Sequence, residues 1–466
     1  MSGPGSPEGP PASGGPWTPG LPHAHESQVS RTPGTDLTGL RIAIANWRDP
    51  WHPDAGGAER YAWEIGRGLA DRGARVVFLT ARAPGQARRS RRDGITVARM
   101  GGRFTVYPRV LGWLLARRRS FDAVLDCQNG IPFFTPCVLP RRVPVLCVVH
   151  HVHTDQFGVH FPGWMARAGR LLEGPAARLA YRRHACVAVS PSTVTAMRER
   201  LRWTGDIYLI PNGAPQPGPA RAPGSGRSVT WVGRLVAHKR AELLLPVAQR
   251  LAGSGLTVDV IGRGPTEVPL AAAARGLGGT LRVHGFVPEA RKHELVAGSL
   301  LHLNTSQGEG WGLCVLEAAA LGVPTVAFDV PGLRDAVRDG RTGWLVRDGE
   351  TIEDVTERAI KGLADPARRQ AIAAACRKWA ASLTWDQSTQ RMADLISSSV
   401  HYASSRSTHS GAWIVSGPTQ EQGGGLLAEG PPLDLLLGAT PGLTLRPATP
   451  LERLLGHPAP DPGNLP

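Results

Sequence analysis

Apolar and polar positions along this chain switch between two periods. A short apolar run from Leu40 to Trp47 predicts a buried strand, and the glycine-rich stretch Arg48–Gly57 breaks it. Ala58–Arg72 then carries Tyr61, Ile65 and Leu69 on one helical face, Gly73 ends the helix, and Arg75–Thr80 reads as a second strand. Strand, loop, helix, strand is how a parallel α/β sheet opens. Further strands are predicted at Ala123–Asp126, Val143–His150, Ala185–Ser190 and Ile207–Pro211, the last entering the turn Pro211-Asn212-Gly213. After a stretch rich in proline, glycine and arginine the pattern restarts. Strands at Ser228–Gly233, Thr257–Gly262, Leu281–Gly285, Leu300–Asn304, Thr325–Phe328 and Gly343–Val346 alternate with helices such as Ala241–Leu251 and Glu289–Ala297. The expected fold is α/β: two Rossmann-like domains facing a central cleft, over 40–213 and 228–380. A linker (214–227) joins them, and a helix over 381–402 is expected to pack back toward the first domain. Ligands of open α/β sheets lie beyond the carboxyl ends of strands, so the chemistry is sought in the loops that follow strands.

The ends break the pattern. Residues 1–39 and 403–466 are crowded with small residues and proline, and are predicted to be largely structureless because they bury too little apolar surface. Leu433–Leu437 is the one stretch there apolar enough to dock. The net charge of +15 is unevenly placed. Residues 37–213 hold 27 arginines and no lysine against 12 acids, whereas 214–400 hold 22 basic and 18 acidic residues. A basic first half suits anionic partners, although an arginine-rich composition is the plain alternative. Arg103–Arg119 sets Val106, Val110, Trp113 and Leu114 among arginines. It reads either as a basic segment lying on an anionic membrane or as a helix burying its apolar face. The six cysteines form no C-x-x-C pair and suit a reducing cytoplasm. No leader and no apolar run of membrane-spanning length is visible, so a cytoplasmic protein is expected, with peripheral attachment at the inner face of the membrane left open.

Three loops carry candidate chemistry. Glu309-Gly310-Trp311-Gly312-Leu313-Cys314-Val315-Leu316-Glu317 sets two carboxylates around a turn that opens a helix. The free N–H groups of a helix start suit a diphosphate, Glu317 can accept from a ribose, and Glu309 can reach sugar hydroxyls. Arg234 and Lys239 follow a strand and can neutralise a diphosphate as a glycosidic bond breaks. Gly56-Gly57-Ala58-Glu59 lets backbone approach a ligand at the start of the first helix. No G-x-G-x-x-G is complete, which removes a dinucleotide-dependent dehydrogenase. The basic half shows no nucleic-acid module, and no nucleic acid is expected.

Taken together, G-G-A-E at Gly56–Glu59, G-R-L-x-x-x-K at Gly233–Lys239, I-G-x-G-P at Ile261–Pro265, H-G-F-V at His284–Val287 and E-G-W-G-L-x-x-x-E at Glu309–Glu317, with E-A-x-A-x-G-x-P continuing to Pro324, resemble the family-four retaining glycosyltransferases of GT-B fold. The resemblance runs from about Arg41 to Met392. It implies a nucleoside-diphosphate sugar, UDP- or GDP-linked, as donor and a hydroxyl acceptor: a cell-envelope lipid, a glycan or a secondary metabolite, anionic or lipid-linked among the options. Arg234 and Lys239 would hold the diphosphate beside Gly233 and Gly262, Glu317 the ribose, and Glu309 the sugar. Gly312, Leu313 and Cys314 would contact phosphate, Phe286 and Val287 the base, and Gly57 the diphosphate. Gly56, Glu59, His151 and His153 would lie on the acceptor side. The active-site histidine would be His150, by its spacing from Pro144, with His151 and His153 also open. Trp311 and Arg240 stand where the family more often has Phe and Gly. The resemblance implies retention and an α-linked product; no carboxylate pair is placed for double displacement, so a front-face route is expected, and no DxD-like pair appears, so no metal or cofactor is expected. A catalytically degenerate relative and a basic anion-binding protein are the alternatives.

Overall fold

The computed structural model describes residues 34–154, 157–215, 226–405, 412–416, 426–429 and 444–447. Most of the linker and of the two terminal segments lies outside them. Two open sheets form the body. In the first, β1 (Arg41–Ala45), β2 (Arg75–Thr80), β3 (Arg89–Arg92), β4 (Ile95–Arg99), β5 (Ala123–Asn129), β6 (Val145–His151), β7 (Cys186–Ala188) and β8 (Ile207–Leu209) stand in the order 3-4-2-1-5-6-7-8. All neighbours are parallel except the β3–β4 hairpin. Asp93 and Gly94 both have positive φ in its turn, the backbone a two-residue hairpin requires. Asp-Gly was the legible signal for this hairpin, which the apolar pattern does not reveal because β3 (Arg-Ser-Arg-Arg) has no apolar residue.

The second sheet is parallel throughout. It orders β9 (Ser228–Val232), β10 (Thr257–Ile261), β11 (Leu281–Gly285), β12 (Leu301–Asn304), β13 (Thr325–Phe328) and β14 (Gly343–Val346) as 11-10-9-12-13-14. Each sheet is covered on both faces, which is why its strands read as continuous apolar runs. In β1, Ile42 and Ile44 pack into one core while Ala43 and Ala45 pack into the other. The helix Val106–Ala116 buries Val106, Val110 and Leu114 in that second core. Its apolar stripe is therefore spent inside the domain, as expected of a helix that buries its apolar face.

The chain crosses between the halves twice. The helix Trp385–Ser405 lies against the first helix, Gly57–Asp71, and adds Met392, Ala393, Leu395 and Ile396 to the first half's core. Arg72 pairs with Asp386 at 2.7 Å, and the rings of Tyr61 and Trp385 meet edge to face at 6.0 Å. Three short strands are described in the C-terminal segment. Within 403–466, β15 (Ala412–Ser416), β16 (Leu426–Glu429) and β17 (Thr444–Pro447) form an antiparallel sheet with β15 central, and most of the rest, Leu433–Leu437 included, lies outside the described residues. The β-branched and aromatic run Trp413-Ile414-Val415 supplies the strand preference.

Candidate active site

The carboxyl ends of both sheets face one cleft, and the loops named from sequence meet there. On the second half, Lys239 ends a short 3-10 turn and its ammonium pairs with Glu309, which also accepts from Ser306 Oγ at 2.8 Å. Burial alone would raise the Glu309 carboxyl, but Lys239 and Ser306 outweigh it and hold the pKa below the ordinary value. Arg240, next in the chain, has φ +49° and sits where the related pattern has glycine. It holds that conformation by donating to the carbonyls of Thr305 at 2.8 Å and Ser306 at 3.4 Å, with its guanidinium 4.1 Å from the Phe328 ring centre.

Gly312, with φ +102°, caps the helix Leu313–Ala320. Glu317 is buried within that helix, between two cations: Arg60 Nη1 donates to Oε1 at 2.6 Å and Lys292 Nζ to Oε2 at 2.9 Å. Burial opposes its charge, but Lys292 and Arg60 hold the carboxyl well below its usual pKa, so it is ionised at neutral pH. Sequence reading missed both cations. Arg60 comes from the other half of the chain, 257 positions away. Cys314 receives a bond from Asn304 Nδ2 at 3.3 Å, and burial pushes its thiol up to about 12, which leaves it no nucleophilic role.

The assigned glycines divide into two kinds. A methyl group at Gly262 would lie 1.8 Å from the Gly233 carbonyl, so this pair lets the loops after β9 and β10 pass one another. One at Gly57 would lie 3.2 Å from Leu313 Cδ1, which puts the first half's glycine turn against the helix that Gly312 caps. Nearby, Arg234 reaches the Asp54 carbonyl across the cleft at 3.4 Å. At the far end of the second half, Phe286 is half exposed with Arg263 5.1 Å from its ring centre, while Val287 packs beside Ile261 and Val296. His284 pairs with Asp259 at 2.7 Å and braces β10 against β11.

On the first half, Glu59 is fully engaged: Oε2 accepts from the Gly56 N–H at 2.7 Å and Oε1 from Arg48 Nε at 3.0 Å. It is buried and caps its own helix, so it shapes the glycine turn rather than facing an acceptor. The three histidines differ. His150 lies edge-on to Tyr61 at 5.2 Å, and its buried Nε2 has no hydrogen-bond partner. The backbone loop of the second half closes on it, since a methyl group at Gly310 would lie 2.3 Å from the His150 carbonyl. His151 faces that same loop, with Cε1 3.6 Å from the position a Gly308 methyl group would take. His153 Nδ1 lies 3.0 Å from the His151 carbonyl, and the His153 backbone N–H donates to Glu173 Oε1 at 2.6 Å. Burial lowers His150 to about 4 and His151 to about 3, so both are neutral at pH 7. Among the described residues no cluster is arranged to hold a metal ion.

The cleft thus collects Arg60, Arg234, Lys239 and Lys292 around two ionised carboxylates, with a helix start between them. Such a site accepts an anion at its centre and neutral hydroxyls at its edges. Residues 55–215 match the family model described as Glycosyltransferase Family 4, and residues 218–379 match the one described as Glycosyl transferases group 1. The chain belongs to the GT-B glycosyltransferases. This glycosyltransferase is 36% identical over 170 residues to the D-inositol 3-phosphate glycosyltransferase of Rhodococcus opacus (strain B4). That alignment covers 34% of this chain and 38% of the relative, well under half of its length. Among solved structures, the sucrose-phosphate synthase of Thermosynechococcus elongatus superposes with TM-score 0.64 at 19% identity, over 76% of this chain and 98% of that one. HepE of Anabaena, solved in complex with UDP-glucose, superposes with TM-score 0.59 at 18% identity, over 77% and 100%. At these identities the two structures establish the fold.

Proposed function

We propose that this glycosyltransferase moves a sugar from a UDP- or GDP-sugar to a hydroxyl acceptor, with retention of anomeric configuration. The observation that carries the reading is the pair of ionised carboxylates, each held by cations at the carboxyl ends of the sheets. Glu317 would accept from the ribose hydroxyls and Glu309 from the transferred sugar. Arg234 and Lys239 would stabilise the departing diphosphate, where fixed charge is worth most. The unpaired Nε2 of His150 is a buried polar atom that a sugar hydroxyl would satisfy, and His151 stands beside it toward the acceptor. Both imidazoles are neutral at pH 7, so they would orient hydroxyls rather than carry charge. Among the described residues the two cleft carboxylates, Glu309 and Glu317, are both held by cations, which favours a front-face route with the leaving phosphate taking the acceptor proton over double displacement. Leaving-group charge is covered by the chain's own cations, so no metal is needed. The fold shared with a UDP-glucose complex makes UDP the first nucleotide to try. The acceptor is read as anionic or lipid-linked from the excess charge of the first half, with the enzyme working on the cytoplasmic side.

A thermal-shift panel of UDP-, GDP-, dTDP- and ADP-sugars tests the donor. A ligand that binds only the native state stabilises it by roughly 2.7 kcal/mol at a hundred times its dissociation constant. One nucleotide class should raise Tm, and Glu317→Ala should abolish the rise. A folded protein that responds to none of them would refute the reading. NMR of the product sugar decides the stereochemistry, and an inverted anomer would overturn it.

A further inference from the structure

The helical run from Gly163 to Tyr181 has two unlike faces. It comprises the α-helices Gly163–Leu171 and Ala177–Tyr181, joined by a π turn at Leu172–Ala176 that accommodates Pro175. Its inner face (Ala166, Gly169, Glu173, Ala177 and Tyr181) is buried. Glu173 there accepts from the His153 N–H at 2.6 Å and from Thr154 Oγ1 at 3.0 Å, bracing the turn that follows the cleft histidines. The outer face is apolar where solvent would dictate polarity. Trp164 is 73% exposed, Leu171 58% and Leu179 65%, at helical spacing. Phe104, 57% exposed, extends the patch, because Arg103 lies 5.3 Å from its ring and 5.6 Å from that of Phe161 at the start of the run.

Charge on this face has one sign. Residues 157–183 hold five arginines, and their one acid is the buried Glu173. Arg167, Arg182 and Arg183 are exposed around the apolar residues. We propose that this outer face docks on an anionic lipid bilayer. Tryptophan and leucine among arginines, with no carboxylate, match a headgroup layer over hydrocarbon. A second copy of the chain would set arginine against arginine across a two-fold axis. A nucleic acid would offer Leu171 and Leu179 nothing to bury against. No described helix is long and apolar enough to cross a membrane, so the contact is one of lying on the surface. The docked helix would hold the His151–His153 turn on its inner side, placing the cleft beside the lipid surface. The inference stands apart from the donor reading, since binding to vesicles needs no turnover.

Flotation of the full chain with phosphatidylcholine vesicles, with and without phosphatidylglycerol, tests it. The wild type should float only with phosphatidylglycerol present, and less at high salt. The variant W164S/L171S/L179S should lose about ten-fold or more of its partitioning. R167Q/R182Q/R183Q should lose about five-fold per arginine. Both should keep the wild-type Tm, because the altered side chains are exposed. Equal recovery of the wild type on both vesicle types, or an apolar variant that floats as the wild type does, overturns the proposal. So does a wild-type mass that doubles in light scattering and reverts in the apolar variant, which would assign the face to a second copy instead.

Discussion

The two halves share an architecture and differ in how they spend charge. In the second half several surface arginines meet an acid: Arg250 with Asp354 and Glu357, Arg334 with Asp329, Arg347 with Asp339, Arg358 with Glu350. The first half has more than twice as many arginines as acids, and several of its acids are already committed inside, Asp49 to Arg99 and Glu59 to Arg48. The second half is thus close to charge balance, with 22 basic and 18 acidic residues over 214–400, while the first carries a large excess of arginine. On the reading proposed above, the same fold would serve a local task in one half, gripping one small dianion, and an extended one in the other.

Breaking the second half's grip should have the largest effect. Lys239→Ala removes the cation from Glu309 and from the proposed diphosphate position, and should lower kcat by about 10²–10³-fold in a donor-saturated assay. A loss under ten-fold would mean that the pair is structural. Interfering with the meeting of the halves comes next. Gly310→Ala places a methyl group where the His150 carbonyl stands, and should cut kcat by about 10²-fold while the nucleotide-induced thermal shift persists. Within the first half, Asp126 is buried and accepts from the N–H groups of Phe133 and Thr135 and from the hydroxyls of Thr135 and Tyr181. Asp126→Ala orphans these donors and should cost about 3 kcal/mol in urea unfolding, leaving the nucleotide site able to bind in the protein that remains folded.

Acid should separate the forms more gently. His150, His151, His184 and His302 are buried neutral, with values of about 4, 3, 4 and 4 against an unfolded value of 6.5. Between those limits the unfolded chain binds more protons, so stability falls as pH drops from about 6.5 toward 4. Below that, protonation of Glu309 and Glu317 removes more. Differential scanning calorimetry across this range should show Tm declining before the carboxylates titrate, and a flat Tm from pH 6.5 to 5 would contradict the buried assignment. Smallest of all, Arg60→Ala should shift nucleotide affinity by less than about ten-fold, because Lys292 still holds Glu317.

The second half's site was largely legible because its parts are local: two carboxylates bracket a turn, and a cation follows a strand. Arg60 and Lys292 were not, since periodicity reports which face of an element is buried but not what stands opposite it across a cleft. The same limit applies to the histidines. Neighbours on a strand point to opposite sides, so spacing could nominate His150 without showing that its ring would meet Tyr61 while His151 met the other half. Glu59 shows the converse error. A carboxylate three residues after a helix cap is first a capping residue, and both its oxygens are taken. The outer face of the Gly163–Tyr181 run escaped because an exposed tryptophan and a buried one look alike in a sequence.

Arg240 has a bearing on speed. Its guanidinium ties the turn that carries Lys239 to the exit of β12, the strand that leads to Glu309, so the two groups form one rigid piece before any substrate arrives. A glycine there would keep the backbone angle and lose the tether. If Lys239 holds the diphosphate as proposed, the ammonium would need no search for the departing phosphate. The reorganisation that water would demand at that moment would then have been completed during folding.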